Sequence, residues 1–180
     1  MCKRSVHIFT IYLKIGICTK YNFNVLSAES GDKINGYIIS QLMVYIAEAN
    51  GLIKIFILLG GNNFNASVKD PSVHNSTVKE IISNFKTLLD FSDRYPDVQI
   101  HICSLIPRPR FKHLDLFFKK TSIGLSQLCK KYNSATFIDC HSLFQNSIGQ
   151  TLLHFYNSDG IHLRRFSSEK LALHVFNSSR

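Results

Sequence analysis

The sequence predicts a three-layer α/β/α sandwich with a mainly parallel sheet, and three observations carry that reading. Short runs rich in β-branched and aromatic residues recur along the chain, and longer stretches at helical spacing lie between them. No repeat, linker or low-complexity tract divides the 180 residues, so residues 1–180 read as one domain. Strand, helix, strand, helix in this order pairs neighbouring strands in parallel through crossover helices.

Residues 1–20 are the atypical part. Met1-Cys2-Lys3-Arg4 precedes an apolar run from Val6 to Ile17. Its polar positions Lys3, His7, Thr10 and Lys14 fall on a helical stripe, which predicts a helix, although the Val, Ile, Thr and Tyr content suits a strand. The strands that follow are expected at Phe23 to Ser27, Ile53 to Leu59, Val98 to Leu105 and Thr136 to Asp139. Ile55 to Leu59 is continuously apolar and reads as a central strand buried on both faces. Core-facing helix stripes are formed by Ile34, Ile38, Leu42, Tyr45, Ile46 and Ala49, and again by Val78, Ile81, Ile82, Phe85, Leu88 and Leu89. A third helix is expected over Leu114 to Lys131. A fourth is expected over Ser167 to Phe176, with Ser167 as its N-cap and Glu169 in its first turn.

Composition narrows the function classes. Hydrophobic residues make up 45% of the chain, which excludes a disordered protein. The five cysteines are an odd number without C-x-x-C spacing, which predicts free thiols in a reducing, intracellular compartment and gives no basis for a zinc site. The N-terminal run resembles a signal peptide, but Lys14 and His7 interrupt it. It is too short to span a bilayer, and no small-residue cleavage site follows cleanly. The sequons at Asn65, Asn75 and Asn177 would matter only in a secreted chain. A net charge of +9 speaks to solubility and non-specific attraction; where the basic residues sit decides what it means.

In open α/β sheets, function collects in the loops leaving the carboxyl ends of the strands. The first such loop is Ser27-Ala28-Glu29-Ser30-Gly31-Asp32, the second Gly60-Gly61-Asn62-Asn63-Phe64, and the third Ser104-Leu105-Ile106-Pro107-Arg108-Pro109-Arg110. Ser158-Asp159-Gly160-Ile161-His162-Leu163 precedes the last helix. Each alone reads as a turn. In this order they resemble the SGNH (GDSL-like) hydrolase family over residues 21 to 176, and the chain is also similar to SGNH-like domains of invertebrate retroelement-encoded proteins. The resemblance implies a flavodoxin-like sheet and a carboxylic-ester hydrolase of the esterase and lipase class. It further implies His162 as base, Asp159 as the residue orienting it, and Gly31 and Asn62 as oxyanion donors. No cofactor is implied. The chemistry suits these residue types: ester acyl transfer needs a hydroxyl deprotonated by imidazole and donors fixed in advance around the oxyanion. Gly160 suits the tight turn that lets an aspartate reach a histidine three residues on.

The Gly-Asp-Ser of the family's first block does not occur in this sequence. Ser5 is the serine at about the right distance before the second block, with Lys3-Arg4 where Gly-Asp would stand. Only four residues precede Ser5, too few for a strand, so the family's first strand is expected to be missing, or replaced by the 6–17 run itself. Two functions follow. One is a serine esterase acting on a small acyl ester, with Ser5 as nucleophile. The other is an inactive SGNH-like domain, truncated or retroelement-derived, that binds RNA or another anionic ligand. Arg108, Arg110, Arg164 and Arg165 would form a basic rim for such an anion, although no nucleic-acid motif is present. His101, His141, His154 and His174 read as structural, and Cys103 and Cys140 as small buried hydrophobes.

Overall fold

The structure is a computed structural model that describes residues 33–48 and 51–178, together with the backbone of residues 5–10 and 23–27. Among the described residues, five parallel strands form one sheet: β1 (Ser5–Thr10), β2 (Phe23–Ser27), β3 (Ile53–Leu58), β4 (Val98–Cys103) and β5 (Ala135–Ile138). Their order is β2-β1-β3-β4-β5, the flavodoxin-like arrangement.

The 6–17 run itself supplies most of the first strand, the second of the two expectations, and the expected helix over that run is corrected across residues 6–10. β1 lies between β2 and β3. Ser5 to Thr10 pair residue by residue with Ile53 to Leu58, while Val6, His7 and Ile8 pair with Phe23, Asn24 and Val25. A central slot in a parallel sheet favours continuous Val, Ile, Phe and Thr, and that tertiary demand overrides the four-three-four spacing of the polar positions. Residues 11–17 of the same run lie outside the described residues.

Among the described residues, four helices accompany the sheet: α1 (Gly36–Glu48), α2 (Pro71–Ser92), α3 (Asp115–Cys129) and α4 (Arg165–Ser178). Alternation along β3 separates two cores. Ile53, Ile55 and Ile57 pack with Leu42 and Ile46 of α1, Ile81 and Phe85 of α2, and Phe118 and Leu125 of α3. Phe56 and Leu58, on the opposite face, pack with Phe144, Tyr156, Leu171 and Val175. Helix α2 begins where the sequence supplies both signals, with Pro71 at its first position and the Asp70 carboxylate accepting from the Ser72 amide at 2.8 Å.

Helix α4 starts two residues before the expected cap. The Arg164 carbonyl accepts from the amides of Ser167 and Ser168, which draws Arg165 into the helix and leaves Ser167 buried inside its first turn. Glu169 then lies one turn from Arg165 and pairs with it at 3.2 Å. Among the described residues, no helix is long and apolar enough to cross a membrane.

Candidate active site

The strand order reverses between β1 and β3, and in such sheets the crevice at the carboxyl ends beside that reversal is where ligands bind. Thr10 closes β1 there, in register with Leu58. The loop leaving β3 turns at once into a 3₁₀ turn over Gly61–Asn63. Its two asparagines do different work. Asn63 closes a paired bond with the backbone of Ile34, accepting from the Ile34 amide and donating to its carbonyl, both at 2.9 Å. Asn84 of α2 donates to the same carbonyl at 3.2 Å. Asn62 is half-buried, and its Oδ1 accepts from an Nη of Arg108 at 2.6 Å.

The loop after β4 links the two sides of the crevice. It is buried from Ser104 through Arg108. The Tyr156 hydroxyl donates to the Pro107 carbonyl at 2.7 Å, and the Arg110 amide donates to the Gly160 carbonyl at 3.2 Å. Arg108 thus meets the β3 loop while Pro107 and Arg110 meet the segment that carries Asp159 and His162. A Cβ on Gly160 would lie 3.2 Å from the Arg110 nitrogen, and Gly160 has φ +62°, so both space and backbone favour glycine there.

Asp159 and His162 are joined as the sequence suggested. Asp159 Oδ1 accepts from the amides of Ile161 and His162 at 2.8 and 2.9 Å, closing the turn. Its Oδ2 lies 2.6 Å from His162 Nδ1. A carboxylate can only accept, so this contact puts the imidazole proton on Nδ1 and makes Nε2 the basic nitrogen of the neutral ring. The bond from His162, followed by the two backbone amides, holds the Asp159 carboxyl down at about 2. The pair is open to solvent, with side-chain exposures of 52% for His162 and 36% for Asp159.

The remaining expected residues divide. Ser5 opens β1 at its amino end, in register with Ile53, whereas the loops described above leave the carboxyl ends; the structure does not bring Ser5 to them. Gly31 lies outside the described residues. Arg110, Arg164 and Arg165 are exposed, whereas Arg108 is 9% exposed and lies against Gly61 and the Phe118 ring. Arg164 directs its Nε to the Tyr156 carbonyl at 2.8 Å. Sequence reasoning passed over Asn63 and Tyr156. The doubled Asn62-Asn63 was a signal, since one carboxamide suffices as an oxyanion donor and the second needed another task.

A second polar cluster lies at the ends of β4 and β5. Ser104 donates to Asp139 at 3.1 Å and accepts from the amides of Cys140 and His141, while His141 Nδ1 meets the Leu105 carbonyl at 2.8 Å. Burial would raise the Asp139 carboxyl, but bonds from Ser142, Ser104 and His141 outweigh it and hold the group below its ordinary value. Cys103 and Cys140 are buried, and the Cys140 thiol is pushed up by its bond to Cys103 and by burial, so it carries no thiolate character. Among the described residues, no cluster of His, Cys, Asp and Glu could hold a metal ion.

No family model and no curated protein sequence matches the chain. Solved structures do. The lipase/acylhydrolase from Enterococcus faecalis is 14% identical with a TM-score of 0.71, the match covering 98% of this chain and 95% of that one. A member of the lipolytic protein G-D-S-L family from Veillonella parvula is 15% identical with a TM-score of 0.70, covering 97% of each chain. A mutant of the acetyl-xylooligosaccharide esterase from Geobacillus is 10% identical with a TM-score of 0.67, covering 98% and 93%. With this strand order, these loops and these neighbours, the chain has the fold of the GDSL/SGNH lipolytic hydrolases.

Proposed function

We propose that the domain hydrolyses small acyl esters, with His162 as general base, Asp159 as the residue orienting it, and Asn62 and Gly31 as donors to the oxyanion. The observation that carries this reading is the bonded Asp159–His162 pair, tied through the Pro107–Arg110 segment to the loop that bears Asn62. The nucleophile is reassigned. Ser5 is separated from the carboxyl edge by the length of a six-residue strand, about 17 Å at ~3.3 Å per residue. Among the described residues, Thr10 is the hydroxyl-type residue whose backbone closes β1 at its carboxyl end, and that place in the sheet supports giving it the nucleophile's role. His162 Nε2 accepts the hydroxyl proton as the oxygen attacks the acyl carbonyl. The oxyanion is met by donors each worth about 2.7 to 4 kcal/mol. Collapse expels the alcohol, which receives the proton from His162, and water then cleaves the acyl-enzyme by the same steps.

A fluorophosphonate probe with peptide mapping tests this. Label on Thr10 that is lost in His162→Ala and kept in Ser5→Ala is the expected result. Label on Ser5 would overturn the reassignment, and no label anywhere would sink the esterase reading. A second reading is favoured by the absence of Gly-Asp-Ser from the sequence: a domain that binds an anionic ligand such as RNA at the exposed Arg110 and Arg165 without turning it over. Absence of label together with RNA affinity that falls steeply with salt would select it.

A further inference from the structure

We infer that Arg108 is a positioning residue that fixes the side-chain amide of Asn62 as an oxyanion donor. The inference deepens the proposed esterase reading and rests on it for its kinetic part. Oδ1 and Nδ2 leave the same carbon of Asn62 in divergent directions. A carboxamide whose oxygen is engaged by a cation therefore has its N–H₂ turned away from that cation. The Arg108 guanidinium holds Oδ1 at 2.6 Å, a charge-assisted bond that selects one of the two amide orientations. A positive charge on Oδ1 also polarises the amide and makes Nδ2–H the stronger donor.

The guanidinium is itself held. Arg108 is 9% exposed, and its Cζ lies 6.0 Å from the centre of the Phe118 ring, within cation–π range. On its other side it lies against Gly61, where a Cβ would come to 3.0 Å from Nη2 and 3.3 Å from Cζ. The glycine before Asn62 thus makes room for the arginine that orients Asn62. An arginine recruited only to attract ligand would stand exposed, as Arg165 does, with 93% of its side chain in solvent.

The test reads the Asn62 amide directly and then its kinetic consequence. In a ¹⁵N-labelled sample, the Asn62 side-chain cross-peaks are assigned by their loss in Asn62→Ala. In Arg108→Gln and Arg108→Lys they are expected to move toward the position of solvent-exposed amides, while the backbone amides of β3 and β4 stay in place. On an activated acetyl ester, Arg108→Gln should lower kcat by about tenfold to a hundredfold with KM little changed. It should lower kcat by less than about twofold in the Asn62→Ala background, because a residue acting through Asn62 adds nothing once Asn62 is gone. Unmoved Asn62 cross-peaks, or a full additional loss in the double variant, would overturn the inference. If the wild type turns over no ester, the esterase reading fails while the amide shift still decides the role of Arg108. Should neither arginine variant fold, Gly61→Ala, which displaces the guanidinium while keeping it, is expected to give the same shift; unmoved peaks there would overturn the inference equally.

Discussion

His101 makes the fold sensitive to mild acid. It lies in the middle of β4, 4% exposed, stacked on Phe56 with ring centres 4.5 Å apart, and among the described residues neither ring nitrogen has a hydrogen-bond partner. Burial, aided by the nearby Lys54 charge, lowers its pKa from 6.5 to about 4. A depressed value means that the unfolded chain takes the proton first. The stability that depends on a neutral ring is full above pH 6.5, falls as the pH drops toward about 4, and changes no further below that. Linkage between those two values gives a loss of about 2 kcal/mol between about pH 7.5 and about pH 5, from this one residue. His101→Phe keeps the stack and removes both nitrogens. Urea unfolding followed by circular dichroism, for wild type and variant at both pH values, isolates the contribution from that of every other titrating group. The variant should match the wild type within about 1 kcal/mol at the higher pH and exceed it by about 2 kcal/mol more at the lower. A stability difference that stays constant across the range would refute the reasoning.

Two substitutions probe the loops around the crevice. Gly160→Ala puts a side chain on left-handed backbone and a Cβ 3.2 Å from the Arg110 nitrogen. It should cost about 1 to 2 kcal/mol in urea titrations and disturb the Asp159–His162 contact, read as a displacement of the His162 ring resonances by NMR. Asn63→Leu removes both bonds to the Ile34 backbone, whose side chain is fully buried. A loss of about 2 kcal/mol is expected, together with faster exchange of the Ile34 amide than of the amides of β3.

The sheet was legible wherever burial on both faces left a mark in the sequence. Ile53 to Leu59 and Val98 to Leu105 read as strands because their apolar runs are short and bounded by turns, and the strands observed there end one and two residues earlier, at Leu58 and Cys103. The stripes of α1 and α2 read as helices because their period is sustained. β1 misled for a physical reason: a strand in a central slot of a parallel sheet needs no alternation, so the polar spacing of Lys3, His7, Thr10 and Lys14 is left as the apparent signal, while the pairing that decides the structure joins residues nearly fifty positions apart. The expected nucleophile depends on the same segment: with the first strand expected to be missing or replaced by the 6–17 run, Ser5 is the serine before the second block, whereas in the sheet it opens β1 at its amino end. Asp159 and His162 were legible as a pair because they bond within one turn. Arg108 was read as part of a rim, since nothing local to Pro107-Arg108-Pro109 announces a partner forty-six residues away.

The long reach of those contacts has a consequence for how the chain acquires its site. Asn63 to Ile34, Arg108 to Asn62 and Tyr156 to Pro107 close loops of 29, 46 and 49 residues. Each closure carries an entropy cost that grows slowly with loop length, and it is recovered only once the sheet already holds the loop ends near each other. The crevice therefore depends on the sheet beneath it: the three contacts hold only while the strands keep the loop ends near each other, so a change that loosens strand pairing away from the crevice is expected to weaken all three together.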